Sequence, residues 1–304
     1  SFGPLTSYTF TAVERPLSIH VVVEQLNYPV TIAAGPHGQI STGIDTIAYC
    51  GDSLTLPIIP DPCYTVADVI VDGVSQGPLS SYTFTNVTTS HSISATFTLL
   101  NYAITASSGA NGSISDPGTL TLACGSNQSY TITPAPCFAI EDVLVDGISV
   151  GPVSAYTFTS ITTSHTIEAT FVQISYPIVA SSGLHGSVSP NGTTTSLCGN
   201  TLSYAIQADP CYIIADVLVD GISQGPLSSY TFANINAAHT IHADFVREEF
   251  PITATSTAGG TIAPNGTTSV LCGDSITYSI LADSCYFIQD VIVDGQSAGV
   301  LSSY

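Results

Sequence analysis

Apolar and polar residues alternate with a period of two along short stretches of this chain, and glycine, proline and asparagine separate the stretches. In Thr201–Ala208 the alternation is nearly complete, and in Thr240–Phe245 the apolar side chains Ile241, Ala243 and Phe245 fall on one side. A strand points successive side chains to opposite faces, so this spacing predicts half-buried strands. Tyr176–Ala180 and Ser187–Ser189 read as further strands, bounded by Ser-Ser-Gly-Leu-His-Gly and by Pro190-Asn191-Gly192. Ile213–Asp220 is rich in β-branched residues and runs into Asp220-Gly221, a pair that accepts the positive φ of a tight hairpin turn. Tyr230 and Phe232 share one face of another short strand. Helical periodicity is missing throughout. About six or seven strands per unit predict an all-β fold of small antiparallel sandwiches.

The same pattern recurs every 74 residues. The first cysteine of each unit is Cys50, Cys124, Cys198 or Cys272, the second is Cys63, Cys137, Cys211 or Cys285, and Asp72, Asp146, Asp220 and Asp294 open the Asp-Gly pairs at the same step. A period this strict, without insertions, marks a tandem array. Residues 1–26 are a partial repeat, in which SFGPLTSYTF aligns with the stretch Ser75–Phe84. Repeats then run over 27–100, 101–174 and 175–248, and a fourth, 249–304, stops at the residue equivalent to Tyr230. Phe171-Val-Gln-Ile-Ser-Tyr176 leads from the last strand of one repeat almost directly into the first of the next, which predicts a stiff string of domains.

Composition narrows the partners. Twenty-two acidic and two basic residues give a net charge of -20, and Arg15 and Arg247 are the only cations besides histidine. A nucleic-acid partner needs clustered Lys and Arg to displace counterions, so none is expected. No apolar run reaches the length of a membrane span, and there is no basic, apolar leader. The absence of methionine suggests that Ser1 is a processed start. The absence of lysine removes isopeptide crosslinks, Schiff-base chemistry and a phosphate-binding P-loop.

The eight cysteines predict an oxidising, extracellular or cell-surface setting. Closure within each repeat is the expectation: Cys50–Cys63, Cys124–Cys137, Cys198–Cys211 and Cys272–Cys285. Such a loop of about 14 residues would contribute about 3 kcal/mol by constraining the unfolded chain. Zinc, with a histidine at the same position in three repeats (His91, His165, His239), and pairing between neighbouring repeats are the alternatives.

Other candidate chemistry has a plainer reading beside it. Asp216 and Asp220 lie four apart on a strand, roughly 13 Å from each other, too far for a pair of glycosidase carboxylates. With Asp209 they form a candidate calcium set, although no contiguous calcium loop is present and Ala135 replaces the acid in the second repeat. No other cofactor is expected. The histidines stand among many serines, but no nucleophile elbow occurs and Leu17 takes the histidine position in the first fragment, so no enzyme activity is expected. Tyr82, Tyr156 and Tyr230 read as core residues ahead of a sugar-stacking surface. Asn86, Asn111, Asn127, Asn191 and Asn265 open Asn-x-Ser/Thr sequons and are glycosylation candidates.

The Gly-Ser-Ile-Ser turn at Gly112, the D-V-x-V-D-G segment, S-Y-T-F, and the His-x-Ile-x-Ala-x-Phe ending resemble the divergent internalin-B-type repeat of bacterial and archaeal surface proteins. The resemblance covers all three complete repeats and both fragments. It implies extracellular stalks, adhesins and fibres, and no catalytic residues. Cys63, Cys137, Cys211 and Cys285 stand where that pattern often has glycine before the aromatic, and its tryptophan is absent; both departures imply a disulfide-hardened version.

Two readings of function remain, a filament subunit and a slice of a longer adhesin or stalk whose ligand-binding domain lies elsewhere. The first makes a structural prediction. The fourth repeat lacks the strands that supply Phe232, Ile241, Ala243 and Phe245 in the third, while the N-terminal fragment carries Tyr8, Phe10, Leu17, Ile19, Val21 and Val23 at the matching positions. Donation of that strand into a neighbour's fourth repeat would join copies of this chain head to tail.

Overall fold

A computed structural model describes residues 5–41 and 45–304. The first four residues of the N-terminal fragment lie outside the described residues. Among the described residues every regular element is a strand. The first repeat contains β1 (Asn27–Ala34), β2 (Gly38–Ile40), β3 (Thr46–Tyr49), β4 (Leu54–Pro60), β5 (Tyr64–Val71), β6 (Val74–Ser75), β7 (Ser81–Phe84) and β8 (His91–Leu99). They form two sheets, one ordered β3-β1-β8-β5-β6 and one ordered β2-β4-β7. The second and third repeats reproduce both sheets strand for strand.

The expected antiparallel pairing holds for most neighbours, with one exception per repeat: β1 and β8 run parallel, Val30 opposite His91 and Ala34 opposite Ala95. This pair brings the first and last strands of a repeat together, and β8 becomes the central strand. It bonds to β1 on one side and to β5 on the other, where Tyr64 faces Leu99 and Val71 faces Ile93. A bulge at Val66/Asp68 shifts the register of β5. Val66, Val69 and Val71 all reach the core across this shift, because one extra residue resets the alternation. Asp68 turns instead to the neighbouring hairpin and accepts bonds from Ser75 Oγ at 2.7 Å and the Gly77 amide at 3.0 Å.

Val30, Ile40, Leu56, Ile58, Val69, Phe84, Val87, Ile93 and Ala95 make the first core, and equivalent side chains make the second and third. Tyr82 packs edge-on against Phe84 with ring centres 5.0 Å apart, as Tyr156 and Tyr230 do on Phe158 and Phe232. Phe97, Phe171 and Phe245 lie flat over Gly38, Gly112 and Gly186. A Cβ at Gly112 would stand 2.2 Å from the Phe171 ring, so only glycine admits the aromatic there.

The cysteine pairing departs from expectation. Cys63 bonds Cys124, Cys137 bonds Cys198 and Cys211 bonds Cys272, each across a repeat boundary. The pairs Cys50–Cys63, Cys124–Cys137, Cys198–Cys211 and Cys272–Cys285 do not form. Sheet topology gives the reason. β3 is antiparallel to β1, β1 is parallel to β8, and β8 is antiparallel to β5. β3 and β5 therefore point the same way. Cys50 follows the end of β3 and Cys63 precedes the start of β5, so the two sit at opposite ends of one sandwich. Proximity in sequence does not become proximity in space.

Repeat boundaries contain a single residue between strands. Leu100 donates its amide to the Cys63 carbonyl at 2.8 Å and accepts from the Cys124 amide at 2.9 Å. Ile174 and Glu248 do the same between Cys137 and Cys198 and between Cys211 and Cys272. Each disulfide thus closes over a junction already pinned by two backbone bonds. Among the described residues no helix is long and apolar enough to cross a membrane.

Candidate assembly site

The fourth repeat holds strands at Glu249–Ala254, Gly260–Ala263, Gly266–Leu271, Ser279–Ala282, Val291–Val293 and Gln296–Gly299. Its large sheet is split. Among the described residues Glu249–Ala254, the counterpart of β1, pairs only with Gly266–Leu271, Val291–Val293, in the place of β5, pairs only with Gln296–Gly299, and no strand takes the place of β8. Each of these strands therefore has an unpaired edge on the side where the complete repeats seat β8, and the apolar face is less covered: Ile252 is 40% exposed where Val30, Ile104 and Ile178 are 0%. Gly260 meets no aromatic ring, unlike Gly38, Gly112 and Gly186. The smaller sheet of the repeat is also reduced, to two strands and one bridge from Ser279 to Ser303. Tyr278 is buried, and its amide and carbonyl exchange bonds with Tyr304 at 2.7 and 3.0 Å.

Residues 5–26 form no strand, and Phe10, Leu17, Ile19, Val21 and Val23 are all exposed, as is Tyr8. One turn and one ring pair in this segment nevertheless match the later repeats. Ala12 has φ 49°, matching Asn86, Ser160 and Asn234 at 50°, 49° and 52°. That left-handed conformation costs a residue with a Cβ roughly 1–2 kcal/mol. Tyr8 and Phe10 meet edge-on at 5.0 Å, the arrangement of the Tyr82–Phe84 pair. At its far end the segment is tied to the first repeat by the Cys50 amide on the Leu26 carbonyl (2.7 Å) and by Gln25 Nε2 on the Cys50 carbonyl (2.9 Å).

The other sequence candidates have local partners. Asp72 and Gly73, at φ 50° and 80°, make the two central positions of the β5–β6 turn. Asp72 Oδ1 accepts the Ser92 amide at 2.8 Å, and Oδ2 meets His91 Nδ1 at 2.7 Å. Asp146–His165 and Asp220–His239 repeat the pair. The Ser92 amide and the histidine hold the Asp72 carboxyl below its usual value. At Asp146 and Asp220 burial pushes upward, but the histidine and the facing amide together outweigh it and the net shift is downward. Asp216 spends its Oδ1 on Ser223 Oγ and on the amides of Val217 and Gly225. Asp209, Asp216 and Asp220 do not converge, and no group of three His, Cys, Asp or Glu side chains among the described residues is placed to share a metal ion.

Two hydrogen-bonded chains escaped the sequence reading. Thr163 Oγ1, His165 and Asp146 lie in line, with 3.3 Å and 2.7 Å contacts, and Ser181 Oγ, His242 and Asp244 do so at 2.8 Å and 3.1 Å. Both are surface chains on partly exposed side chains. Ser181 and His242 are register partners across the parallel strand pair, which accounts for their contact. Ala237 replaces Thr163 one repeat later. The sequon residues Asn86, Asn111, Asn127, Asn191 and Asn265 are all exposed.

No curated protein matches the chain. Among solved structures, the Bacillus anthracis TIE protein is 8% identical, with 72% of this chain and 51% of that chain covered and a TM-score of 0.31. The pilus adhesin SpaC from Lactobacillus rhamnosus GG, in an open conformation, is 9% identical over 72% of this chain and 43% of its own, with a TM-score of 0.18. The present chain thus spans about half the length of these proteins or less. Residues 28–101 match the family model of the divergent InlB B-repeat domain, the family that the repeated sequence motifs resemble.

Proposed function

We propose that this protein is the structural subunit of an extracellular filament. Copies join head to tail when residues 9–26 of one chain enter the gap in the fourth repeat of the next. One observation carries this reading: an apolar strand-forming segment with no strand partner of its own, and a split sheet missing the strand of that type. In the composite, Ile19 takes the core position of Ile241, Val21 that of Ala243, and Val23 that of Phe245 over Gly260. Leu17, in place of His239, packs on Phe10. Tyr304 already occupies the Tyr8 position, so Tyr8 stays outside the composite core and Phe10 is the first donor residue to enter.

An exposed sheet edge over apolar core is a liability that pairing removes. The donor backbone supplies bonds to both open edges, and its alternate side chains fill the core. The contact joins two different surfaces, so it propagates. Disulfides at every complete junction support an oxidising, extracellular location. The carboxylates of Asp72, Asp146, Asp220 and Asp216 are engaged by local turn and histidine partners, which fits a structural role.

Removal of residues 1–26 tests the reading. The truncated chain should stay soluble and fail to elongate, and the 304-residue chain should form filaments under the same conditions. Normal filaments from the truncated chain would overturn it, and would favour an array in which the fourth repeat is filled in some other way.

A further inference from the structure

Cys50 and Cys285 carry free thiols. We propose that they bond to each other between successive subunits, making the filament a covalent polymer. This rests on the head-to-tail reading above and adds a chemical step to it.

Three bonds within the chain define the template. Each joins the second cysteine of one repeat to the first cysteine of the next, with a sequence separation of 61 and Cα atoms 5.3–5.4 Å apart. Cys285 is a second cysteine and Cys50 a first cysteine, and neither has a disulfide partner among the described residues. When residue 9 of one subunit takes up the path after Tyr304 of its neighbour, the route from Cys285 to Cys50 has that same separation of 61.

The local backbone of both thiols already fits the template. Cys63, Cys137 and Cys211 have φ of 70°, 69° and 70°, and unbonded Cys285 has 72°. Each is the third residue of a turn closed by the following aromatic, with Tyr64 on Asp61 and Tyr286 on Asp283, both at 3.0 Å. A positive φ suits glycine and strains cysteine. The bonded cysteines hold that conformation within a disulfide; Cys285 bears the same strain without a partner in its own chain. On the other side, the Cys50 amide already bonds the Leu26 carbonyl at 2.7 Å, as Cys124, Cys198 and Cys272 bond Leu100, Ile174 and Glu248. Leu26 also has an amide in the position from which Leu100 donates to Cys63, ready for the Cys285 carbonyl of the neighbour. Strand donation therefore delivers the two sulfurs to a preformed junction.

A low-molecular-weight disulfide, R–S–S–R, supplies the oxidation. The Cys285 thiolate attacks it and releases one R–S⁻. The Cys50 thiolate of the neighbour then attacks the Cys285 sulfur and expels the second. Two protein thiols become one disulfide, and the two electrons and two protons end in two R–SH.

The test uses the 304-residue chain assembled with oxidised glutathione and then denatured without reductant. The expected gel shows a ladder at multiples of 31.3 kDa, and digestion should yield a peptide joining Cys285 to Cys50. Cys50→Ser should collapse the ladder to a single 31.3 kDa band while filaments remain visible by electron microscopy. Cys285→Gly, which suits the positive φ, should do the same. Filaments that denature to monomers overturn the bond and leave strand donation standing. Crosslinks of Cys50 to Cys50, of Cys285 to Cys285, or within one chain also overturn it. A Cys285–Cys50 crosslink that forms equally well without residues 1–26 supports the bond and overturns donation. Absence of both filaments and ladder overturns both.

Discussion

At the scale of single residues, three kinds of position set the fold, and each makes a prediction. Gly112 and Gly186 admit an aromatic ring where no Cβ fits. Gly186→Ala should destabilise the third repeat by about 1–3 kcal/mol through overpacking, read from the midpoint of urea unfolding. The hydroxyls of Tyr130 and Tyr204 are buried without a hydrogen-bond partner, and burial raises the Tyr130 phenol above its ordinary value. Tyr204→Phe should therefore leave stability unchanged or raise it slightly, because it removes a desolvated group and no bond. The carboxyls of Asp72, Asp146 and Asp220 lie below their usual value of 3.8. A carboxylate depressed in the folded state contributes stability above its unfolded value and loses it as pH falls through the folded value. Urea midpoints should accordingly drop as the pH is lowered from 4 toward the depressed folded values. Asparagine at all three positions keeps the left-handed turn and should flatten that acid limb. These side chains are nearly half exposed, so the effect per site is small.

At the scale of elements, the strands were legible from alternation, and the 74-residue step placed them in register from repeat to repeat. The Asp-Gly hairpin was legible because few pairs accept two successive positive φ angles. The bulge at Val66/Asp68 was not, since an extra residue leaves the composition of a strand unchanged. The parallel β1–β8 pair was also hidden: alternation shows which face is buried and is silent on strand order. That missing order is why Cys50 and Cys63 looked like partners. Their spacing of 13 residues recurs in all four repeats, but the 61-residue spacing that the structure uses recurs as strictly at all three junctions. The longer closure has a different energetic consequence. A loop of 61 residues stabilises by about 4 kcal/mol in the chain-entropy treatment, against about 3 for the short one. It also ties a junction, so Cys137→Ser with Cys198→Ser should lower stability of the two repeats that share the bond more than that of the first. Hydrogen exchange resolved by repeat would check this.

At the scale of the whole molecule, the chain is an array whose complete repeats are finished by their own last strand and whose fourth is not. The residues proposed as donors stand out in the sequence because the N-terminal fragment preserves the apolar spacing of β8 while changing its residues. The preset Ala12 turn and the preset Cys285 turn were not legible, since neither alanine nor cysteine announces a positive φ. Within this account, Ile19→Asp should leave the three complete repeats intact and prevent elongation, because a charge would enter the composite core at the position where Ile241 is fully buried. The most direct measurement is a cryo-electron microscopy map of the assembled filament. Residues 9–26 of one subunit should run between Glu249–Ala254 and Val291–Val293 of the next, parallel to the first and antiparallel to the second, with Ile19 in the core. A map in which that segment packs against its own chain, or in which the gap of the fourth repeat stays open, would contradict strand donation.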